Sequence, residues 1–405
     1  MVNVIGLGYI GLPTALMMAS HGIEVVGTDY NKELVDTLNR GETTFKENGL
    51  DELFSSALES GIVFTTEYQV SDIYIVSVPT PYNEIDKKID PCFVIDAIKT
   101  LLQVAPEGAV CVIESTVSPN TVDRFVRPLL EKAGRQDVAL VHAPERIIPG
   151  NMLSELLCNN RTIGADDPEV GNRVARLYAS FCKGEIAITD IRTAEMTKVV
   201  ENTFRAVNIA FANELAKICR IGGMDVYEVI RIANKHPRVN ILQPGPGVGG
   251  HCIPVDPWFL VGDYPETANF TRLALQTNKE MPEYVMRRAF EAMRERGLSG
   301  SSKVGIYGLT YKEDVDDVRE SPTLQMLRSM DEHLCIEPVR VYDPWVSEDV
   351  APNQVHTLED FLDGLECVIV MVGHSQIKGR PEAFSGCLII DPRNVMGSDG
   401  NVVKL

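Results

Sequence analysis

Residues 2–6 (VNVIG) run straight into Gly6-Leu7-Gly8-Tyr9-Ile10-Gly11, and a helical-looking stretch follows to Ser20. This junction constrains the chain more than any other feature. A short β-branched strand feeds a G-x-G-x-x-G turn, and the turn opens a helix. The glycines allow a tight bend, close approach of a ligand and close packing of helix on strand. The uncapped helix N-terminus offers N–H groups to an anion. Gly22 closes the helix, and EVVGTD forms a second strand ending at Asp29. A carboxylate there accepts the hydroxyls of an adenosine ribose and repels a 2′-phosphate. The unit is therefore read as binding a dinucleotide, with NAD expected over NADP.

The pattern continues along the chain. DIYIVSVP (72–79), VCVIEST (110–116) and VALVHAPE (138–145) are further apolar, β-branched runs with helical sequence between them. Strands alternating with helices indicate a parallel sheet covered on both faces. Residues 1–190 are read as this first domain. A long helix follows over 193–221, with Val200, Phe204, Val207, Phe211, Leu215 and Ile218 in one apolar stripe. A second helix covers 226–236, a Gly/Pro-rich loop covers 243–257, and helical sequence continues to about Arg296. Residues 191–298 form a central helical region, and 298–302 (LSGSS) read as a linker. A second alternating block, 299–405, has strands at 303–309, 339–344, 367–372 and 387–392 but no G-x-G-x-x-G. The expected fold is α/β: two Rossmann-like doubly wound domains joined by a long central helical region.

Charge narrows the function. The 405 residues carry a formal net charge of −19, which argues against a nucleic-acid-binding surface. The nine cysteines are scattered singly, with no C-x-x-C pair. That spacing argues against a disulfide framework or a metal site, and for a reducing compartment. The uncharged stretch before His21 superficially resembles a leader or membrane segment. It lacks a basic start, is interrupted by Pro13 and contains the glycine turn, so no membrane association and a cytoplasmic location are expected.

Several residues stand out chemically. Val78, Pro79 and Thr80 follow one strand and Thr116 another, at the strand ends where an open parallel sheet holds its ligand. Their bland alternative is loop capping. Lys198, Asn202 and Arg205 share one face of the long helix, a pattern that also fits a solvated polar face. Cys252 follows Gly247-Val248-Gly249-Gly250-His251, and Asp256 lies four residues on. A thiolate there is a nucleophile if nearby cations such as Lys198 lower its pKa. A structural thiol beside a tight loop is the alternative.

Taken together, GLGYIGLP, SVPTP, the EST segment, HAPER (142–146), AEMTKVVENTF (194–204), GPGVGGHCIPVDP and KEDVDDVRESP (312–322) resemble the UDP-glucose/GDP-mannose dehydrogenase family over the whole chain. The resemblance implies two successive oxidations of a sugar CH2OH by NAD, through a thiohemiacetal and a thioester on Cys252. It places Lys198 and Asn202 near the developing oxyanion and Asp256 and Thr116 near the attacking water. It makes Glu145 a base in hydrolysis. Arg319 becomes a contact to NAD phosphate. Tyr311, Lys312 and Arg393 become uridine-nucleotide contacts, while Arg146, Gly247 and Gly249 line the substrate. Arg238 reaches a partner subunit's site. The loop 236–259, with His251 and Val255 at two branch-marking positions, looks like the UDP-N-acetyl-mannosamine branch. UDP-N-acetylglucosamine and UDP-glucose are the alternatives. A homodimer or a dimer of dimers is implied, with no metal. A two-electron hydroxyacid dehydrogenase lacks the cysteine loop and second α/β block, and a non-catalytic NAD sensor does not require Cys252, Lys198 and Asp256 together.

Overall fold

The computed structural model describes residues 1–298, 300–334, 339–397 and 400–405. Cys335 and Ser299 of the linker lie outside the described residues. The chain divides into two compact units, residues 1–201 with 258–265 and residues 202–257 with 266–405. The division falls within the helix Ile191–Ile221.

The first unit is built on an eight-stranded sheet ordered β3-β2-β1-β4-β5-β6-β7-β8. The strands are β1 Val2–Ile5, β2 Val25–Thr28, β3 Val63–Thr65, β4 Ile73–Val76, β5 Val110–Ile113, β6 Ala139–His142, β7 Arg161–Ala165 and β8 Ile186–Thr189. Strands β1, β2, β4 and β5 are buried along their whole length, which is why they read as unbroken apolar runs. All neighbours pair in parallel except β6 and β7. The chain order reverses direction between β1 and β4, and the crevice outside their C-terminal ends is where such a sheet takes its ligand. Strands β3, β7 and β8 were not expected. β8 is largely exposed and β3 has three residues, so neither carries the apolar signal of a central strand.

The second unit has a six-stranded parallel sheet ordered β11-β10-β9-β12-β13-β14. Its strands are β9 Val304–Tyr307, β10 Arg340–Tyr342, β11 Gln354–Val355, β12 Cys367–Val370, β13 Leu388–Asp391 and β14 Val402–Lys404. The doubly wound α/β expectation therefore holds for both sheets, and β11 and β14 extend the second.

The first loop of the second sheet repeats the construction of the first. Gly6 and Gly308 both take positive φ, +90° and +97°. Asp29 accepts the Leu7 N–H at 2.8 Å and the Asn31 N–H at 2.9 Å. Asp343 likewise accepts the Leu309 N–H at 2.6 Å and the Trp345 N–H at 2.8 Å. The difference is chemical. Thr310, fully buried, stands where the first loop has Gly8, and its N–H also reaches Asp343, at 3.0 Å. Buried His374 lies 3.1 Å from the same carboxylate oxygen through Nε2. Its Nδ1 accepts the Asp314 N–H at 3.0 Å, so Nε2 carries the proton and donates to Asp343.

The helix Ile191–Ile221 has 31 residues, about 46 Å at 1.5 Å per residue. Its apolar stripe faces outward. Val200, Phe204, Phe211 and Ile218 are 46%, 66%, 49% and 51% exposed. The buried face instead carries Lys198, Asn202 and Asn213 among small residues such as Ala194, Ala206 and Ala210. The solvated-face alternative for Lys198 and Asn202 therefore fails, while Arg205 does remain exposed. Among the described residues, no helix is long and apolar enough to cross a membrane.

Candidate active site

In the first unit, the glycine turn separates into positions that protein fills and one that it leaves open. A Cβ on Gly6 would sit 2.3 Å from the Ser77 carbonyl oxygen, and one on Gly11 would sit 1.9 Å from that of Gly6. These two are glycines because backbone crosses backbone there. A Cβ on Gly8 would meet nothing within 4 Å, so no protein atom fills that space at the mouth of the turn, where such a fold takes the pyrophosphate. The helix Gly11–Ser20 begins at Ile10 with no side-chain cap and no acidic residue in its first turn. Its N-terminal N–H groups are left for an anion. Tyr9 stacks on Phe45 with ring centres 4.5 Å apart. Asp29 is nearly buried, and each of its oxygens takes one N–H, leaving acceptor capacity for hydroxyls. An open glycine, an uncapped helix start and an acceptor carboxylate fit a dinucleotide.

Two threonines and a serine shape the neighbouring strand ends. Ser115 Oγ accepts the Val78 N–H at 2.8 Å and donates to the Val78 carbonyl at 2.7 Å. Thr80 Oγ donates to the Thr116 carbonyl at 2.7 Å. Val78, exposed Pro79, Thr80 and Thr116 are thus one braced edge, and Ser115 is the brace that the sequence did not single out.

Glu145 follows β6 and is buried. One oxygen accepts the Arg146 N–H at 2.6 Å, and the other is bonded to Arg161. Arg146 turns its guanidinium onto Glu201, with contacts of 2.6, 2.8 and 3.0 Å, and onto Thr162 at 2.8 Å. That fork ties the HAPER segment to the long helix about three turns from its start. His142, at the end of β6, is fully buried. Burial first, with the Lys198 charge adding to it, pushes its pKa down to about 3, so the imidazole is neutral. Lys198 is itself buried.

In the second unit, the Gly-rich loop threads past Tyr311 and the 319–322 segment. A Cβ on Gly249 would lie 2.6 Å from the Tyr311 Cβ and 2.7 Å from the Glu320 carbonyl. One on Gly250 would strike the Tyr311 ring at 2.9 Å, and one on Gly247 would lie 3.0 Å from Pro322. The Gly250 N–H donates to the Arg319 carbonyl at 2.9 Å. The loop delivers half-buried Cys252, whose carbonyl accepts the Asp256 N–H at 2.9 Å, placing the thiol one turn before the helix Asp256–Asp263. Asn202 donates to the Asp256 carboxylate at 2.6 Å, and both side chains are buried. Fifty-four residues apart in sequence, the amide and the carboxylate meet at the base of the cysteine turn.

Arg393 follows β13. Its Nε donates to the Met371 carbonyl at 2.9 Å, and one terminal nitrogen lies 3.4 Å from where a Gly245 Cβ would stand. Tyr311 and Lys312 are half-buried in the loop after β9. Arg319 forks onto Asp317 at 2.6–3.1 Å. Arg238 is exposed, as is His251, whereas Val255 is buried. The described cysteines form no disulfide.

Models of the UDP-glucose/GDP-mannose dehydrogenase family match in three parts: its NAD binding domain over residues 1–182, its central domain over 192–280 and its UDP binding domain over 305–398. The UDP-N-acetyl-D-mannosamine dehydrogenase of Methanococcus vannielii is 40% identical over 407 residues, covering 98% of this chain and 93% of that one. The NDP-N-acetyl-D-galactosaminuronic acid dehydrogenase of Ralstonia solanacearum is 39% identical over 411 residues, covering 97% and 96%. Among solved structures, the UDP-N-acetyl-mannosamine dehydrogenase of Staphylococcus aureus is similar with a TM-score of 0.89 at 40% identity, covering 100% of this chain and 97% of that one.

Proposed function

The chain belongs to the UDP-glucose/GDP-mannose dehydrogenase family and is an NAD-dependent UDP-sugar dehydrogenase, and from that premise we propose that it oxidises UDP-N-acetyl-D-mannosamine at C6 to UDP-N-acetyl-D-mannosaminuronate through a thioester on Cys252. NAD, when bound, supplies an acceptor for two electrons at a time, so the four-electron change consumes two equivalents. The alcohol first loses a hydride and its O–H proton to become an aldehyde. The Cys252 thiolate adds to the aldehyde carbon and forms a thiohemiacetal. Loss of a second hydride and proton leaves the thioester. Water then attacks the acyl carbon, the C–S bond breaks, and the carboxylate departs as the thiolate returns.

The residues divide this work. Lys198 and Asn202 donate to the sugar oxygen as its charge grows. Asp256 and Thr116 orient the water, and Glu145 takes its proton. Tyr311, Lys312 and Arg393 hold the uridine nucleotide. Gly247 and Gly249 shape the sugar's path, Arg146 fixes Glu145 from the next residue, and Arg319 reaches toward NAD phosphate. Arg238 serves the site of a second copy. The outward apolar stripe of the long helix is the contact of a homodimer, with a dimer of dimers as a further assembly. Asp29 selects NAD over NADP.

The observation that carries the four-electron reading is the Asn202–Asp256 hydrogen bond beside the cysteine turn. It joins a donor and a carboxylate beside the thiol that the glycine loop presents. The sugar assignment rests on the loop 236–259 and on relatives that act on 2-acetamido sugars. A site that bonds the amide rejects a sugar lacking it, because its own polar groups are left unpaired. The test is a panel of UDP-N-acetylmannosamine, UDP-N-acetylglucosamine and UDP-glucose at equal concentration, counting NADH against acid. Two NADH per acid and preference for the first are expected. Faster turnover of either other sugar defeats the substrate assignment, and one NADH per sugar defeats the four-electron reading.

A further inference from the structure

Two carboxylates and one guanidinium are buried together behind the cofactor-binding edge. Glu114 follows β5, Glu145 follows β6, and Arg161 is the first residue of β7. Their side chains are 0%, 4% and 4% exposed. Arg161 bonds Glu145 directly, while its other terminal nitrogen stands 3.9 Å from Glu114. The guanidinium lies over the Tyr178 ring at 4.2 Å, and the Tyr178 hydroxyl donates to Glu114 Oε1 at 2.9 Å. Glu114 Oε2 has no hydrogen-bond partner among the described residues, and neither does buried Thr14 Oγ on the nucleotide-binding helix.

The charges do not balance if both carboxyls are ionised. One positive group then faces two negative ones with almost no exposure to solvent, a state that proteins avoid by retaining a proton. The geometry says where the proton sits. Glu145 has the guanidinium on one oxygen and the Arg146 N–H on the other, and both favour the anion. Glu114 has one donor and one vacant oxygen, where an O–H fits. We propose that Glu114 is a positioning residue for Glu145: it stores one buried proton, leaves Arg161 committed to Glu145 while it does so, and strengthens Glu145 as a base when it releases that proton to solvent.

The proposal rests on the reading of Glu145 as the hydrolytic base. The groups facing Glu114 are Glu145, Arg161, Tyr178 and Thr14. Burial first, then the charge of Glu145, raises Glu114 to about 7, with the Arg161 charge and the Tyr178 hydrogen bond acting in the opposite direction. Below that pH Glu114 is neutral and Arg161 is held by Glu145 alone. Above it Glu114 is anionic, and the one guanidinium is shared between two carboxylates.

The experiment follows acyl-enzyme decay in the full-length protein with NAD and the best UDP-sugar of the panel, by intact-protein mass on either side of neutrality. Wild type should release acid with an inflection near pH 7 and a rise of roughly three- to tenfold, a fraction of the ~10²–10⁴ that general base catalysis supplies. Glu114→Gln, which mimics the protonated state, should stay at the acid-side rate with no inflection. Tyr178→Phe removes a bond that favours the anion and should move the inflection to higher pH. It also carries the test if the Gln variant fails to fold. Isotope-edited infrared should show a neutral buried carboxyl in wild type at acid pH that Glu114→Gln lacks. A Gln profile that superimposes on wild type, or a neutral-carboxyl band of undiminished intensity after the substitution, overturns the proposal; buried Glu195, raised to about 7 by burial, contributes a band to both proteins. Glu145→Gln separates the two readings. Acid release at the wild-type rate in that variant removes the base assignment and the proposal with it. Blocked release there, with an unmoved Glu114→Gln profile, removes the proposal alone.

Discussion

Replacing Gly8 by alanine should make the protein no less stable and much poorer at holding NAD. The backbone at Gly8 lies outside the left-handed region, and a Cβ there meets no protein atom within 4 Å. An alanine that adopts the native conformation without strain stabilises by about 0.4–1 kcal/mol, because the unfolded chain has fewer conformations to lose. The new methyl group would occupy the space kept for the pyrophosphate. Forcing one carbon into a close-packed contact costs ~1–3 kcal/mol, which weakens NAD binding by roughly 5- to 150-fold. Gly11→Ala is the contrasting variant. Its Cβ falls 1.9 Å from the Gly6 carbonyl oxygen and 3.1 Å from the Ser77 Cβ. It should therefore lose about 1–3 kcal/mol of stability along with binding. Urea unfolding of the two proteins, with calorimetric titration of NAD and separately of UDP, reads all three quantities. UDP binding should be unchanged in Gly8→Ala. Wild-type NAD affinity in that variant, or a stability loss as large as that of Gly11→Ala, would refute the view that the space belongs to the cofactor.

Glu114→Gln should alter the pH dependence of stability as well as activity. A carboxyl raised from 4.5 to about 7 by burial and by Glu145 binds its proton more tightly when folded, so it removes stability as pH climbs from 4.5 and stops doing so above about 7. The shift corresponds to about 3 kcal/mol, so the variant should match wild type near pH 4 and exceed it by about that amount at pH 8 in urea unfolding; a difference that does not vary with pH contradicts the assignment. Cys252→Ala should unfold within about 1 kcal/mol of wild type and form no acid, and normal acid production would remove the thioester. Phe204→Glu places a charge on a side chain that is 66% exposed within the outward stripe. It should convert a sedimenting dimer to monomer, and an unchanged sedimentation coefficient would place the dimer contact elsewhere.

What could be read in the sequence was local. A strand, a glycine turn, a helix and a carboxylate within the first 29 residues announce their purpose because each signal lies within a few positions of the next. Strands β9, β10, β12 and β13 of the second sheet were legible for the same reason, whereas β11 and β14, two and three residues long, were not. The cluster behind Glu145 was not. Arg161 opens an edge-ward strand, β7, that pairs antiparallel with β6, and nothing near it in sequence reveals that its partners are 16 and 47 residues away. The polarity of the long helix was legible only in part. Periodicity identifies an apolar stripe but not what covers it, and here polar and small residues pack inward while phenylalanines face out. Spacing alone left a solvated face open for Lys198 and Asn202, and only the family resemblance drew them toward a site; the fold buries both.

The second sheet retains the glycine turn and the strand-end carboxylate of the first, yet its Asp343 is sealed by His374 and its loop is filled by Thr310. The pair of loops thus works as an internal control on a widely used inference. An aspartate closing the second strand of such a sheet is diagnostic of a dinucleotide only half the time within this one molecule, because its first duty is to brace the preceding loop. What separates the two cases is spare valence: a carboxylate oxygen that takes one protein donor, where its counterpart in the second sheet is crowded by several, beside a position with no side chain. Surveys that scored those two properties, rather than the spacing of glycines and acids, would sort cofactor sites from their structural echoes.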